Sequence, residues 1–296
     1  MRMRIRMRSI AKATIALFLC LACTSADTEI TDQQTFNSYW NQGKAEITTY
    51  SLSQARYGEL REGTAVTIFV TEPWNNRDQV KSDGQGDFQV MKLNLTKNFN
   101  TGIYPYSLMT SAFSKADNGQ AHKVSTSSQE WCGHSFTQLN RGEDGWNFQQ
   151  RSYFESEGDE STQIETCLLE DEIWNMIRLM PDSLPQGNIK ILPSTMYLRF
   201  SHIDVDPQSA YANLSKAGKE WIYYVQYPDL RRTITIKFNS NYPHCISGWQ
   251  ETYLDGFGPN ARELTTSASV LQREMLDYWN LNGNADEKWR EELGLD

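Results

Sequence analysis

The amino-acid sequence predicts a mainly β protein, with antiparallel strands, one helix in the middle of the chain and helices at the C-terminus. Apolar and polar residues alternate along several stretches, as in residues 91–95, which is the pattern of a strand with one solvated face. Short breaks rich in Gly and Asn separate these stretches and suit tight turns. Residues 167–180 differ, because their apolar side chains recur with the period of a helix.

The first 23 residues predict an exported, lipid-anchored chain. Residues 1–12 carry basic side chains and no acidic one, and residues 13–22 form an apolar run too short to cross a bilayer. Leu21-Ala22-Cys23 resembles a lipobox, in which the cysteine is acylated and becomes the first residue of the mature chain. We therefore predict a signal peptide over residues 1–22, lipidation at Cys23 and a polar tether over residues 23–33. The alternative is an ordinary signal peptidase cut nearby, with Cys23 discarded.

The charge of the mature chain limits its partners. Residues 23–296 contain 23 Lys and Arg against 37 Asp and Glu, a formal net charge of −14. Nucleic acids and anionic membrane surfaces are excluded as partners, because binding phosphates needs clustered basic residues. Thr24, rather than Asp, follows the cysteine and favours sorting to the outer membrane. The predicted location is the cell envelope, with the lipid anchor as the contact to the membrane.

Residues 34–296 are expected to form a single β-rich domain with C-terminal helices, since no repeat and no Pro/Gly/Ser-rich linker divides them. Phe36, Tyr39 and Trp40 have the spacing of a short amphipathic helix, and Pro181 ends the mid-chain helix. Strands are predicted at residues 47–52, 65–71, 88–99, 124–139, 146–155, 189–192, 195–205, 220–227 and 232–239. A helix is predicted around residues 271–279, and a last one from Asn284 through Leu293.

Glu130, Cys132 and His134 are the candidate catalytic residues. Cys132 and His134 stand two residues apart on a predicted strand and would face the same way, as a thiolate beside its base requires. Glu130 could be one carboxylate of a glycosidase-like pair, although the sequence names no second one. The structural alternative is a buried cysteine beside a hydrogen-bonded histidine, with Cys132 in a disulfide to Cys167 or Cys245.

One further pattern of residues suggests a candidate metal site. His202, Asp204 and Asp206 alternate along a predicted strand and could hold a divalent cation. The same residues also suit an ordinary exit from a strand into the turn at Pro207. The zinc spacings and the common hydrolase and nucleotide motifs are absent from the sequence. We therefore predict no metal and no cofactor.

Aromatic side chains are the candidate ligand-binding residues. Trp131, Trp146, Trp221 and Tyr223 lie on predicted strands, and rings with a polar edge can stack on sugars or line a lipid cavity. The alternative is that these rings fill the core of a curved sheet.

Three runs resemble a family of predicted Bacteroidota lipoproteins: AEITTYSLSQARYGEL (residues 45–60), KLNLTKNFNTGIYPY (residues 92–106) and QEWCGH (residues 129–134). The resemblance covers most of the mature chain and implies a location and a fold, since the family has no established activity. Some members carry the label "septum formation inhibitor Maf". That label is rejected here, because the Ser- and Arg-rich substrate loop of those cytoplasmic nucleotide pyrophosphatases does not follow Cys23.

The order of predicted elements also resembles the open half-barrels of periplasmic lipoprotein carriers, which wrap a curved sheet around a helix. This likeness implies a curved antiparallel sheet or open half-barrel, closed by helices. The expected function is non-catalytic binding of an apolar or glycan ligand on the concave face, or envelope maintenance. The alternatives are an envelope hydrolase of glycans or peptides and a structural subunit of an outer-membrane complex.

Overall fold

A computed structural model describes residues 33–295, which form sixteen strands and four α-helices. The strands are β1 (Ala45–Arg56), β2 (Glu59–Asn75), β3 (Val80–Lys81), β4 (Phe88–Thr101), β5 (Tyr104–Lys115), β6 (Ala121–Glu130), β7 (Gly133–Arg141), β8 (Gly145–Ser152), β9 (Glu160–Glu165), β10 (Leu168–Leu169), β11 (Gly187–Leu192), β12 (Gln208–Ala217), β13 (Glu220–Tyr227), β14 (Arg232–Asn239), β15 (Ile246–Asp255) and β16 (Arg262–Leu276). The helices are α1 (Gln33–Trp40), α2 (Ile173–Leu179), α3 (Thr195–Ser201) and α4 (Lys288–Glu292).

All strands belong to one sheet, in the order β10-β11-β12-β13-β14-β15-β16-β1-β2-β4-β5-β6-β7-β8-β9, with β3 added to β2. Neighbours are antiparallel except β10 and β11. Only residues 166 and 167 connect β9, at one edge of the sheet, to β10, at the other edge. The sheet must therefore curl until its edges approach each other. They do not pair, and this confirms the expected open, barrel-like antiparallel sheet.

The inside of the curled sheet is filled by the segment between β10 and β12. In α2, the amide of Asn175 donates to the carbonyls of Met91 and Ala112, both at 3.2 Å. In α3, the hydroxyls of Thr195 and Thr126 are 2.6 Å apart. One hydrophobic cluster joins these helices to side chains from both halves of the sheet. The concave face is thus occupied by the chain's own helices, which removes it as the expected ligand surface.

Helix α1 packs at one end of the barrel, and the C-terminal segment packs on its outer face. Phe36 and Trp40 of α1 are buried, as their spacing predicts, at the end of the barrel where β1 begins. The C-terminal segment packs Leu293 on the outer face of the sheet against Ile47 and Val66. Within residues 33–295, none of the helices has the length and apolar character needed to cross a membrane. The predicted signal peptide and Cys23 lie outside the described residues.

The sequence does not predict the strands β5, β9, β12 and β15. Two predicted elements form a different structure, and in both cases tertiary contacts decide the outcome. Residues 195–201 form α3 instead of a strand, because the Asp171 carboxylate accepts hydrogen bonds from the backbone and hydroxyl of Thr195 at its first turn. Residues 262–276 form the long strand β16 instead of ending in a helix, because partners are available on both sides, β15 and β1.

Two smaller differences concern the ends of elements. The predicted strand over residues 124–139 is a hairpin, β6 and β7, that turns at Trp131 and Cys132. The last helix begins later than predicted, and its preceding turn is fixed by the Asp286 carboxylate, which accepts the N–H of Gly283 at 3.0 Å.

Candidate binding groove at the seam of the sheet

An open groove follows the seam where the two edges of the sheet fail to pair. It has a volume of about 470 Å³ and runs between β9 on one side and the end of α3 with residues 203–207 on the other. We call it the seam groove. Its floor is apolar and includes Phe148, Ile164 and Leu198, whereas polar and charged side chains surround the opening.

The local sequence explains why this seam stays open. β9 is six residues long and pairs only with β8, so its second edge has no strand partner. On the opposite side, α3 ends at Ser201, and the next residue, His202, has a φ of 52° that turns the chain out of the helix. The chain then runs to Pro207 without joining a ladder, and proline cannot donate to one. Facing edges are thereby kept apart by a stretch of irregular backbone.

Three side chains form a connected polar cluster in the seam groove. The guanidinium of Arg199 donates to Glu157 Oε1 at 2.9 Å and to the Ser135 hydroxyl at 3.0 Å. His202 Nδ1 lies 2.6 Å from the same Glu157 oxygen, within hydrogen-bond distance. Ser152 Oγ donates to the second Glu157 oxygen at 2.7 Å. Burial lowers the pKa of His202 and the Arg199 charge acts in the same direction, whereas the hydrogen bond to Glu157 opposes the shift.

Carboxylates outnumber cations along the walls of the groove. The acidic residues are Glu157, Glu160, Glu165, Asp204 and Asp206, and Arg199 is the guanidinium among the lining residues. Glu157 is neutralised by Arg199, and Glu165 pairs with Lys190 of β11. The remaining carboxylates leave the groove with a negative field, which disfavours anionic ligands.

The candidate catalytic residues lie elsewhere, at the β6–β7 hairpin. The Glu130 carboxylate accepts the backbone N–H of Cys132 at 2.6 Å, and Cys132 and His134 are exposed to solvent. Hydrogen bonding to Glu130, together with its negative charge, raises the pKa of the Cys132 thiol. A cysteine nucleophile needs the opposite shift. The described cysteines, Cys132, Cys167 and Cys245, are free thiols, so the alternative disulfides are not formed.

The candidate aromatic residues have different surroundings. Trp146 and Tyr223 are buried, and each donates to a backbone carbonyl, that of Cys167 at 3.1 Å and that of Pro185 at 2.8 Å. Trp221 is half-buried and stacks on His244, with ring centroids 6.4 Å apart. Trp131 projects from the β6–β7 turn. None of these four rings lines the seam groove.

His202, Asp204 and Asp206 do reach the seam groove, although on irregular backbone instead of a strand. Across residues 33–295, no group of three or more His, Cys, Asp or Glu side chains is arranged to hold a metal ion. The sequence does not mark Glu157 or Arg199 as site residues, because they come together only when the loop after β8 meets α3. Their signal in the sequence is limited to the acidic stretch at residues 155–160.

A second cavity, of about 30 Å³, lies in the interior between the sheet and α3. Lys97 is buried beside it, together with Glu170, Asp171 and Glu251. Burial lowers the pKa of Lys97. The volume suffices for about two water molecules and is far below that of a ligand site.

The comparisons with known proteins concern the fold. Neither a family model nor a curated protein matches the chain. Among solved structures, the chain is similar to the crystal structure of a beta-barrel-like protein of domain of unknown function DUF1849 from Brucella abortus. The two share 7% sequence identity at a TM-score of 0.46, over 78% of this chain and 98% of the other.

Proposed function

We propose that this chain is a lipid-anchored cell-envelope protein that binds a small glycan in the seam groove without chemically altering it. The observation that carries the proposal is the groove itself. Its volume of about 470 Å³ lies within the usual range of ligand sites, and it runs along the unpaired edge of β9. A ligand there can use both side chains and free backbone groups.

The lining of the groove favours a glycan over an acyl chain. A sugar presents C–H faces and a rim of hydroxyls, which match an apolar floor surrounded by carboxylates, amides and hydroxyls such as Gln150, Thr162 and Gln163. An acyl chain would leave those polar groups desolvated without partners. Because the walls are acidic, the glycan is neutral or carries an amine.

The state of the polar cluster supports binding instead of catalysis. Glu157, Arg199 and His202 satisfy one another, which fixes their positions. The residues considered for an envelope hydrolase, Glu130, Cys132 and His134, are outside the groove. The other alternative, a structural subunit of an outer-membrane complex, would need a surface for protein partners instead of a groove.

The proposed location in the cell envelope rests on the sequence alone. The basic run, the short apolar segment and the lipobox-like ending at Cys23 support export and lipidation. The resemblance to predicted Bacteroidota lipoproteins supports the same location, in the outer membrane.

A pair of substitutions on one strand tests the groove. Thr162 lines the groove and neighbouring Ser161 does not, although both are exposed on β9. Thr162→Trp should fill the groove and weaken binding of chitotetraose by at least roughly 10-fold, whereas Ser161→Trp should leave it unchanged. Isothermal titration calorimetry on the acylated protein purified from its own membrane measures both, with uncharged monopalmitoylglycerol as the apolar probe.

The same titrations can contradict the proposal. Equal loss in both variants would show that the groove is not the binding site. Binding of monopalmitoylglycerol but not of chitotetraose, reduced by Thr162→Trp, would replace the glycan with an apolar ligand. Chitotetraose cleavage during the titration, detected by mass spectrometry, would favour the hydrolase.

A further inference from the structure

One end of the barrel carries a set of projecting apolar side chains. Among residues 33–295, the four most exposed large apolar side chains are Ile103, Tyr153, Trp131 and Phe257, with 85%, 72%, 68% and 57% of their surface accessible. Each lies in the connection between two consecutive strands, β4–β5, β8–β9, β6–β7 and β15–β16. In an antiparallel meander alternate connections lie at the same end, and β16 runs antiparallel to β1, so all four lie at the same end of the barrel.

Side-chain contacts link several of these tips to neighbouring turns. Phe257 lies 6.4 Å from Tyr57 of the β1–β2 turn, measured between ring centroids. Trp131 stacks at 6.4 Å on Tyr104, beside the β4–β5 turn. The ring of Tyr153 packs over Gly133, where an added Cβ would lie 2.7 Å from it. We call Tyr57, Ile103, Trp131, Tyr153 and Phe257 the apolar rim.

The apolar rim is supported by a rigid base. The Tyr57 and Tyr106 hydroxyls are 2.7 Å apart, and the Arg56 guanidinium lies over the rings of Tyr57 at 4.1 Å and Phe200 at 4.5 Å. Arg56 also donates to the carbonyl of Phe200 at 3.1 Å, which ties the rim to α3. Because this base is already ordered, little conformational entropy remains to be lost when the rim meets a partner.

The charges of the rim limit what that partner can be. The five connections, residues 57–58, 102–103, 131–132, 153–159 and 256–261, contain no Lys or Arg and contain three acids, Glu155, Glu157 and Asp159. Of the arginines that directly flank the connections, Arg56 is buried and Arg262 is exposed, so anionic lipids find no cluster of basic residues here. Protein interfaces are enriched in Arg and have a closely packed core, whereas these side chains stand on separate turns. Trp and Tyr rings suit the boundary between headgroups and acyl chains.

We propose that the apolar rim inserts into the surface of a bilayer of neutral, zwitterionic lipids, to the depth of its side chains. The proposal rests on neither the seam groove nor acylation of Cys23. The five connections enter the headgroup region together, and the acidic residues of the β8–β9 loop stay at its aqueous side.

Flotation with vesicles tests this surface apart from the lipid anchor. All residues of both hydrophobic clusters lie between Phe36 and Leu295, so the chain from residue 23 with Cys23→Ser keeps its core and carries no acyl chain. This protein should float with phosphatidylcholine vesicles. Combined replacement of Ile103, Trp131, Tyr153 and Phe257 by Ser should lower its partition coefficient by roughly 100-fold or more.

A control variant replaces the same number of exposed apolar residues elsewhere, namely Val80, Trp279, Tyr211 and Leu271, by Ser. It should float like the parent, and circular dichroism should be unchanged in both variants. Brominated phosphatidylcholine should also quench an emission component that Trp131→Phe removes. The proposal is overturned if the parent stays in solution, if the control loses as much binding as the rim variant, or if binding requires phosphatidylglycerol.

Discussion

Arg178 and Glu46 form a buried ion pair that joins the interior helix α2 to the sheet. The guanidinium of Arg178, on α2, donates to the two Glu46 oxygens at 2.6 and 2.7 Å. Its carbon also lies over the rings of Trp40 and Phe69, at 4.9 and 4.6 Å. Burial alone would raise the pKa of Glu46, but the guanidinium charge and its hydrogen bonds outweigh burial and lower that pKa to about 2.

Glu46→Gln should lower the free energy of unfolding by about 3–5 kcal/mol, because it leaves the Arg178 charge buried without its carboxylate. Urea denaturation at neutral pH measures this loss. The pKa of Glu46 falls from 4.5 to about 2 on folding, so its stabilisation is complete above 4.5 and disappears as the pH falls towards 2. The difference between the two proteins should therefore shrink over that window.

Glu165→Gln is the control, because its pair with Lys190 is exposed and should contribute about 1 kcal/mol or less. An equal loss in the two variants, or a Glu46→Gln difference that persists at the lowest pH, would contradict the assignment.

At the scale of the element, α3 depends on a carboxylate from a preceding turn. Asp171 Oδ2 accepts the N–H and the hydroxyl of Thr195, both at 3.0 Å. Burial raises the pKa of Asp171 to about 6, although its hydrogen bonds oppose the shift. The ionised form is thus disfavoured in the folded chain, and this penalty appears as the pH rises from 3.8 through about 6.

Two substitutions separate the hydrogen bonds of Asp171 from its charge. Asp171→Asn keeps a carbonyl acceptor without a charge and should flatten the decline of unfolding free energy between pH 3.8 and about 6. Asp171→Ala also removes the acceptor and should destabilise the protein by about 1–2 kcal/mol. Urea titrations across this pH range measure both. An unaltered slope in Asp171→Asn would mean that another group causes the decline, such as Glu172, whose pKa burial raises to about 7.

These elements also show which parts of the structure can be predicted from the sequence. The strands were predictable where alternation and turn residues agree, as in residues 88–99 and 232–239, because both signals are local. The Thr and aromatic residues within 195–201 predict a strand. The helix depends on the hydrogen bond from Thr195 to Asp171, which is distant in sequence and could not be predicted. The seam groove could not be predicted, since its walls come from the β8–β9 loop, α3 and residues 203–207.

At the scale of the whole molecule, the seam makes stability uneven around the sheet. β1 and β2 each have partners on both sides, whereas β9 pairs only with β8 and most of its side chains are exposed. Edge segments with few buried contacts open at lower free energy than central strands. The seam is therefore where the barrel opens first.

Hydrogen exchange followed by mass spectrometry should reveal this difference. Amides of β9 should exchange at least roughly 100-fold faster than those of β1 and β2. Chitotetraose should slow the exchange of β9 in the parent and not in Thr162→Trp. Uniform protection around the sheet would mean that the seam is closed in solution.

The position of α1 determines where a lipid anchor would join the folded domain. α1 covers the end of the barrel where β1 begins, and the apolar rim lies at the other end. Nine residues separate Cys23 from Gln33, the first residue of α1, so a linker of at most about 35 Å would join an acyl group on Cys23 to that pole. The lipid anchor and the apolar rim would then attach to the folded domain at opposite poles.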